Sequence, residues 1–185
     1  MAIIFSSTNT TRDSGWGGYS VRHVVSLAAL TAPGFNVGNI RVTLTLDTGS
    51  TGTLDAAWIG GGIASPAYDF DGSQVQLLFA GSPSPAVGVG DTVSDFVPFT
   101  FDFIAGTAIV VSTHWTGSLA SLDNNATSAC GGAYQLQAAG TEGQSAPGGT
   151  WTAYSTSSVY FLTQMEFTAP SADPANPFSA IWIQR

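Results

Sequence analysis

Two aspartates, Asp69 and Asp71, have the spacing in this sequence that most directly suggests chemistry. They lie two residues apart with Phe70 between them, so an extended strand places both carboxylates on one face. Carboxylate oxygens are hard ligands of the kind that calcium takes, and a carboxylate pair also serves glycoside cleavage. The alternative is an Asp-Gly turn whose side chains bind local backbone N–H groups. Asp69 and Asp71 are therefore our candidate calcium ligands, and the sequence suggests no other cofactor.

Aromatic residues beside glycine-rich turns form a second candidate site. Exposed rings with polar neighbours would make a surface on which the C–H faces of a sugar stack. The alternative is that these rings fill the core, cap the ends of a sandwich or lie in subunit interfaces, where Trp and Tyr are favoured. The candidate glycan-binding residues are Trp16, Tyr19, Tyr68, Trp151 and Tyr154.

The sequence contains no recognisable catalytic set. A serine nucleophile needs a histidine that is oriented by a carboxylate, and the only histidines, His23 and His114, lie within apolar strand patterns. Residues 90–92 (Gly-Asp-Thr) come nearest to a Gly-Asp-Ser nucleophile motif, but they fall in a predicted turn between two strands. No His/Cys cluster has zinc-ligand spacing. We therefore predict no catalytic residues and no enzymatic activity.

Charge argues against two classes of partner. The chain has no lysine, four arginines (Arg12, Arg22, Arg41 and Arg185) and twelve carboxylates, which gives a formal charge of −8. This charge repels phosphate backbones and anionic lipid surfaces, so we expect no nucleic-acid binding. No stretch approaches the roughly 18 apolar residues that a membrane helix needs, so we expect no membrane insertion. The N-terminus lacks the basic and apolar regions of a signal peptide, which predicts synthesis in the cytoplasm. Cys130 has no second cysteine to pair with, and we interpret it as a small apolar residue.

Alternating apolar and polar residues indicate an all-β domain. Ile40, Val42, Leu44 and Leu46 alternate with polar side chains, as do Phe99, Phe101 and Phe103, and similar patterns occur at residues 75–79 and 159–167. This period of two is typical of antiparallel sandwich strands with one face on a core. Residues 21–30, 56–59 and 108–115 are apolar on both faces and predict central strands or strands covered by another subunit.

Turn residues divide these strands at short intervals. Among them are residues 47–50 and the glycine run at 60–62, and residues 119–130 and 138–149 are typical of loops. We predict an antiparallel, jelly-roll-like β-sandwich of eight to ten strands over residues 1–169. Residues 170–185 form a proline-rich connector and then a terminal strand or assembly arm, whose apolar members are Phe178, Ile181, Trp182 and Ile183.

Residues 55–115 resemble a known module. Three pieces carry the likeness, namely residues 79–81 (Phe-Ala-Gly), 87–90 (Val-Gly-Val-Gly) and 93–95 (Val-Ser-Asp). They resemble the accessory β-sandwich that precedes the catalytic domain in some bacterial SGNH (GDSL-type) hydrolases, and similar modules occur in uncharacterised phage and prophage proteins. The resemblance implies a sandwich fold. In those hydrolases a Gly-Asp-Ser motif opens the catalytic domain, and this chain contains no such motif.

These observations favour a role in binding or assembly. The first hypothesis is a bacteriophage structural protein at the virion surface, such as a capsid decoration, head-fibre or tail-associated protein. It would contact other virion proteins and copies of itself, and it would help in host attachment. The alternatives are a carbohydrate-binding module that recognises a cell-surface glycan and a stand-alone accessory domain of an SGNH-type hydrolase.

Overall fold

Antiparallel β-strands account for almost all regular structure in the described part of the chain. The computed structural model describes residues 1–7, 11–123, 130–137, 151–155 and 159–170. Its strands are β1 (Ala2–Ser6), β2 (Thr11–Ser14), β3 (Tyr19–Ser26), β4 (Val37–Gly62), β5 (Val75–Gln76), β6 (Ala86–Val93), β7 (Val97–Thr100), β8 (Ala108–Ser118), β9 (Ala120–Asp123), β10 (Cys130–Gln137), β11 (Thr152–Ser155) and β12 (Leu162–Thr168). Within these residues the helical structure is one 3₁₀ turn, Leu27–Ala29. The predicted all-β fold is confirmed.

The strands form one curled antiparallel sheet in the order β1-β12-β4-β8-β3-β10-β11. The long strand β4 belongs to both halves, because residues 39–44 pair with β12 and residues 51–62 pair with β8. We call β1, β12, β7 and the first half of β4 sheet I, and the second half of β4 with β8, β3, β10 and β11 sheet II. β6 pairs with both halves of β4. The two sheets face each other across the main core as a β-sandwich.

The predicted turn at residues 47–50 is wrong, because β4 passes through it as a bent strand. The register with β6 shifts between Leu46 and Thr51, and Gly49 has φ of 86°, a conformation that costs glycine little. Ser50 is buried, and its hydroxyl donates to the carbonyl of Ala120 and accepts from the N–H of the same residue. These bonds anchor the bend against β9, a strand inside the predicted 119–130 loop.

A bulge then exchanges the two faces of β4. The buried residues of β4 up to Leu54 all have even numbers, and the register with β8 shifts between Leu54 and Ala56. Ala57 and Ile59 are the fully buried residues after the shift. One extra residue inverts the alternation of a strand, so Trp58 lies on the outer face of sheet II. The alternation in the sequence therefore identifies the core-facing residues separately before and after the bulge, because these residues change from even to odd numbers across it.

The predicted turn at residues 60–62 is also wrong, since β4 continues to Gly62. A Cβ on Gly60 would lie 2.8 Å from the ring of Phe70, and one on Gly61 would lie 2.2 Å from the carboxylate of Asp71. The lack of side chains at these glycines therefore allows the segment after Tyr68 to pack closely against the outer face of sheet II.

The predicted core residues are largely confirmed. The main core contains Ile40, Val42, Leu44 and Leu46 from β4, Phe99, Phe101 and Phe103, and Val159, Phe161, Met165 and Phe167. β3, β8 and the second half of β4 occupy central positions in sheet II, as their two apolar faces predicted. The outer face of sheet II is buried under a second, smaller cluster that contains Val24, Phe70 and Val110.

Candidate functional site

A buried ion pair organises the outer face of sheet II. Arg22 on β3 is fully buried and donates to the Asp69 carboxylate at 2.9 Å and to the Tyr68 carbonyl at 3.0 Å. Its guanidinium lies 4.8 Å from the ring centre of Phe70 and 4.4 Å from that of Trp151. Burial lowers the pKa of Arg22, and the bond to Asp69 opposes that shift. The pair thus fixes the covering segment to the sheet through charge and ring contacts.

The two candidate calcium ligands have different partners. Asp69 is buried against Arg22, whereas the Asp71 carboxylate accepts a hydrogen bond from the N–H of Ser73 at 2.8 Å and packs on Gly61. The Asp71 bond is the local turn interaction that was the alternative interpretation. Among the described residues, no group of three or more His, Cys, Asp or Glu side chains is arranged to hold a metal ion. Calcium binding remains a prediction.

The candidate glycan-binding residues do not form one exposed surface. Trp16 is only 3% exposed and packs on Tyr160 and Phe161 in the main core, with half-buried Tyr19 at its edge. Trp151 is 5% exposed on the outer face of sheet II. The expectation of an exposed Trp16 is wrong because tertiary contacts, rather than its glycine neighbours, supply its packing.

Of the remaining aromatic candidates, Tyr68 belongs to the outer layer of sheet II. Half-buried Tyr68 lies 6.4 Å from Trp151, measured between ring centres. Tyr154 lies on β11 and Cys130 on β10, and the side chains of both are outside the described residues. The predicted assembly arm (Phe178, Ile181, Trp182 and Ile183) also lies outside them.

Strand register assembles a polar group that the sequence did not predict. Ser20 pairs with His114 across β3 and β8, and the Ser20 hydroxyl lies 2.9 Å from His114 Nδ1. The other ring nitrogen is 3.7 Å from an Asp55 carboxylate oxygen. Burial lowers the pKa of His114, against the attraction of Asp55. Because Ser20 has no exposed surface, a substrate carbonyl does not reach its hydroxyl in this conformation.

A cavity of about 420 Å³ opens at the bend of β4. Its walls are Gly15, Gly17, Gly49, Gly117, Ser118, Leu119 and Ala120. Four of the seven wall residues are glycines, which present only main-chain atoms, and a Cβ on Gly17 would lie 2.0 Å from the carbonyl oxygen of Gly117. The cavity therefore offers neutral hydrogen-bonding groups, and its shape depends on glycine.

The outer face of sheet I carries exposed apolar side chains. One row across the sheet runs from Ile3 through Glu166 to Arg41, whose guanidinium lies 4.7 Å from the ring centre of Phe96. Arg41 also forms an ion pair with Glu166. We call the outward-facing residues Ile3, Val37, Arg41, Val93, Phe96 and Glu166 the sheet I face. Its apolar members are exposed by 38 to 53%. They lie around the ion pair of Arg41 and Glu166.

No protein-family model matches the chain, and no curated protein matches it. No helix in the described part of the chain has the length and apolarity to cross a membrane.

Proposed function

We propose that this protein is a non-enzymatic structural component of a bacteriophage virion, a β-sandwich at the particle surface that assembles with copies of itself and with other virion proteins. Capsid decoration, head-fibre and tail-associated proteins are the classes in question. The observation that carries the proposal is the sheet I face, where large apolar side chains stay in contact with water.

The contrast between the two outer faces supports an assembly role. The outer face of sheet II is buried under its own chain, with Arg22 and Val110 fully buried. On sheet I, Val37, Val93 and Phe96 keep 50, 44 and 38% of their surface exposed. Scattered apolar side chains are normal on protein surfaces, but a group on neighbouring strands of one sheet is typical of an interaction surface.

The net negative charge of the protein limits the interactions through which copies of this chain can associate. Copies that each carry −8 repel one another, so association depends on apolar contact and backbone pairing more than on surface ion pairs. Arg41, the cation on the sheet I face, is already paired with Glu166. The face therefore offers burial of apolar surface without an unpaired cation at its centre.

Particle composition tests the proposal directly. Antibodies against the protein should detect it in purified phage particles from a lysate that expresses it, in a fixed ratio to the major capsid protein. Analytical ultracentrifugation of the isolated protein should show a defined oligomer. Particles that lack the protein, together with a monomer at all concentrations, would contradict the proposed function.

Carbohydrate binding is a second candidate, favoured by the cavity at the β4 bend. Its neutral main-chain groups suit sugar hydroxyls, and no cationic side chain lines it. A glycan array should give a ligand whose affinity falls at least tenfold on Ser118→Phe, which fills the cavity. Ser84→Phe, at an exposed residue away from the cavity, is the matched control. Equal affinity in the two variants would exclude the cavity as the binding site.

A further inference from the structure

Strand β6 (Ala86–Val93) presents one backbone edge with which no strand in the described part of the chain pairs. Among the described residues β6 pairs only with β4, which leaves the other edge of its eight residues open. The edge of β1 differs, because the Ile4 carbonyl on that strand already accepts a hydrogen bond from the Thr31 N–H at 2.8 Å. At this edge of β6, beside sheet I, a further strand would find N–H and C=O groups that no described residue pairs with.

Few of the usual devices that block an edge strand are present on β6. The strand contains neither lysine nor proline, and its one charge is Asp91. The Asp91 carboxylate accepts the Thr45 hydroxyl at 2.6 Å, which holds it toward β4. Val89 and Val93 are 61 and 44% exposed. The kink at Gly90, with φ of 100°, and the single charge of Asp91 are the blocking devices of this strand, and the rest of the edge suits an added apolar strand.

We propose that residues 178–183 of a second copy of this chain add as a strand to the free edge of β6. The inference rests on the proposed assembly function and names the contact that carries it. The segment (Phe-Ser-Ala-Ile-Trp-Ile) has no charge, so its burial desolvates no ion. Six extended residues span about 20 Å, which fits within the eight residues of β6, and the added side chains extend the sheet I face beside Val93.

Strand direction favours a second copy over the same chain. β12 runs antiparallel to β4 and ends with Thr168 opposite Asn39, whereas β6 lies opposite residues 43–53 of β4. The chain therefore leaves β12 in the direction away from its own β6. Residues 171–185 contain two more prolines and no glycine, which favours an extended connector over the reversal that a return would need.

Thiol cross-linking between two full-length variants tests the contact. With Cys130→Ser in both, Val89→Cys and Ile181→Cys proteins are mixed and treated with a short bis-maleimide that spans cross-strand neighbours about 5 to 8 Å apart. We expect a covalent heterodimer at least five times more abundant than with Ser84→Cys in place of Val89→Cys. Absence of that excess would overturn the proposal. So would a Val89→Cys homodimer, which would place two β6 strands together.

Two further measurements separate this contact from assembly itself. A chain with Val89→Cys and Ile181→Cys together should give few cross-links within one chain at high dilution, and a dominant intrachain product would overturn the proposal. The full-length Ile181→Asp/Ile183→Asp variant should sediment as a smaller species than the wild type. If it keeps the wild-type oligomer, the docking contact is wrong while assembly stands. If wild-type protein is missing from particles, the proposed function fails instead.

Discussion

The carboxylate of Asp95 accepts a hydrogen bond from the backbone N–H of Gly81 at 2.7 Å and another from that of Ala80 at 3.2 Å. The Asp95 N–H in turn donates to the Leu78 carbonyl at 2.7 Å. Residues 79–81 and 93–95 are two of the three segments on which the predicted resemblance to a hydrolase accessory module depends, and that resemblance stays a prediction. In this fold the two segments are joined by these hydrogen bonds.

Removal of the Asp95 carboxylate should destabilise the domain. Asp95→Ala leaves both turn N–H groups without their acceptor, and charge-assisted bonds of this kind at a partly exposed site are worth about 1 to 2 kcal/mol. Urea denaturation should show that loss as a lower midpoint with an unchanged slope. Ser84→Ala, an exposed change nearby, should shift the free energy of unfolding by less than about 0.5 kcal/mol. Equal midpoints for the two variants would show that the hydrogen bonds of the Asp95 carboxylate do not stabilise the domain.

Ala80 is a site where substitution should stabilise the fold. Its φ of 51° is in the left-handed region, which costs an L-residue with a Cβ about 1 to 2 kcal/mol relative to glycine. Ala80→Gly removes that strain but adds backbone freedom to the unfolded chain, so a net gain of about 0.5 to 1 kcal/mol is expected. Thermal unfolding measured beside Ala86→Gly, an exposed strand residue, should show opposite signs. A lower melting temperature for Ala80→Gly would contradict this account.

The sequence predicted the core better than it predicted the breaks between strands. Alternation at Ile40, Leu44 and Leu46 marks the core face because a strand has a period of two. In the sequence the glycines at 49 and 60 predict ends of strands, but one allows a bend and the other a close contact with Phe70. The sequence shows where a glycine gives the backbone extra conformational freedom. It does not show which residue from a distant part of the chain packs against that glycine in the fold.

His23 should make stability depend on pH. Its ring is fully buried 6.2 Å from that of Phe161, measured between ring centres, and burial lowers its pKa from 6.5 to about 3. The unfolded chain therefore binds more protons between these values, so stability is complete above pH 6.5 and falls as pH decreases toward 3. The slope reaches about 1.4 kcal/mol per pH unit.

Substitution of His23 should remove this dependence. In chemical denaturation at pH 7, 6 and 5, His23→Leu should lose much less stability than the wild type across the series. Most carboxylates stay ionised in this interval, which isolates the histidines. His114→Gln, which removes a less buried ring beside Asp55, should keep most of the wild-type slope. Equal slopes in His23→Leu and the wild type would show that His23 is not the group that titrates.

The candidate sites were harder to predict than the fold because they depend on register. Trp16 was placed on a surface by its glycine neighbours, and only the packing of Phe161 shows that it is a core residue. Ser20, His114 and Asp55 meet across three strands whose alignment follows from the bulge after Leu54. A shift of one residue in the strand register would separate these three side chains. Neither the residue types nor their local spacing in the sequence predicts that register.

The buried Arg22–Asp69 pair should show strong coupling in a double-mutant cycle. Asp69→Asn leaves the fully buried guanidinium without its counter-charge and should cost about 3 to 5 kcal/mol, and Arg22→Met should cost a similar amount. The Arg22→Met/Asp69→Asn double variant should lose about 1 to 3 kcal/mol less than the sum of the single changes.

The pair of Arg41 and Glu166 provides the matched control for this cycle. Arg41 keeps 31% of its side chain exposed, so water screens the pair, and its coupling should stay below about 1 kcal/mol. Urea denaturation of both cycles measures the difference. Coupling at Arg22 and Asp69 no greater than at the sheet I pair would mean that ring contacts from Phe70 and Trp151, rather than the ion pair, hold the covering segment on sheet II.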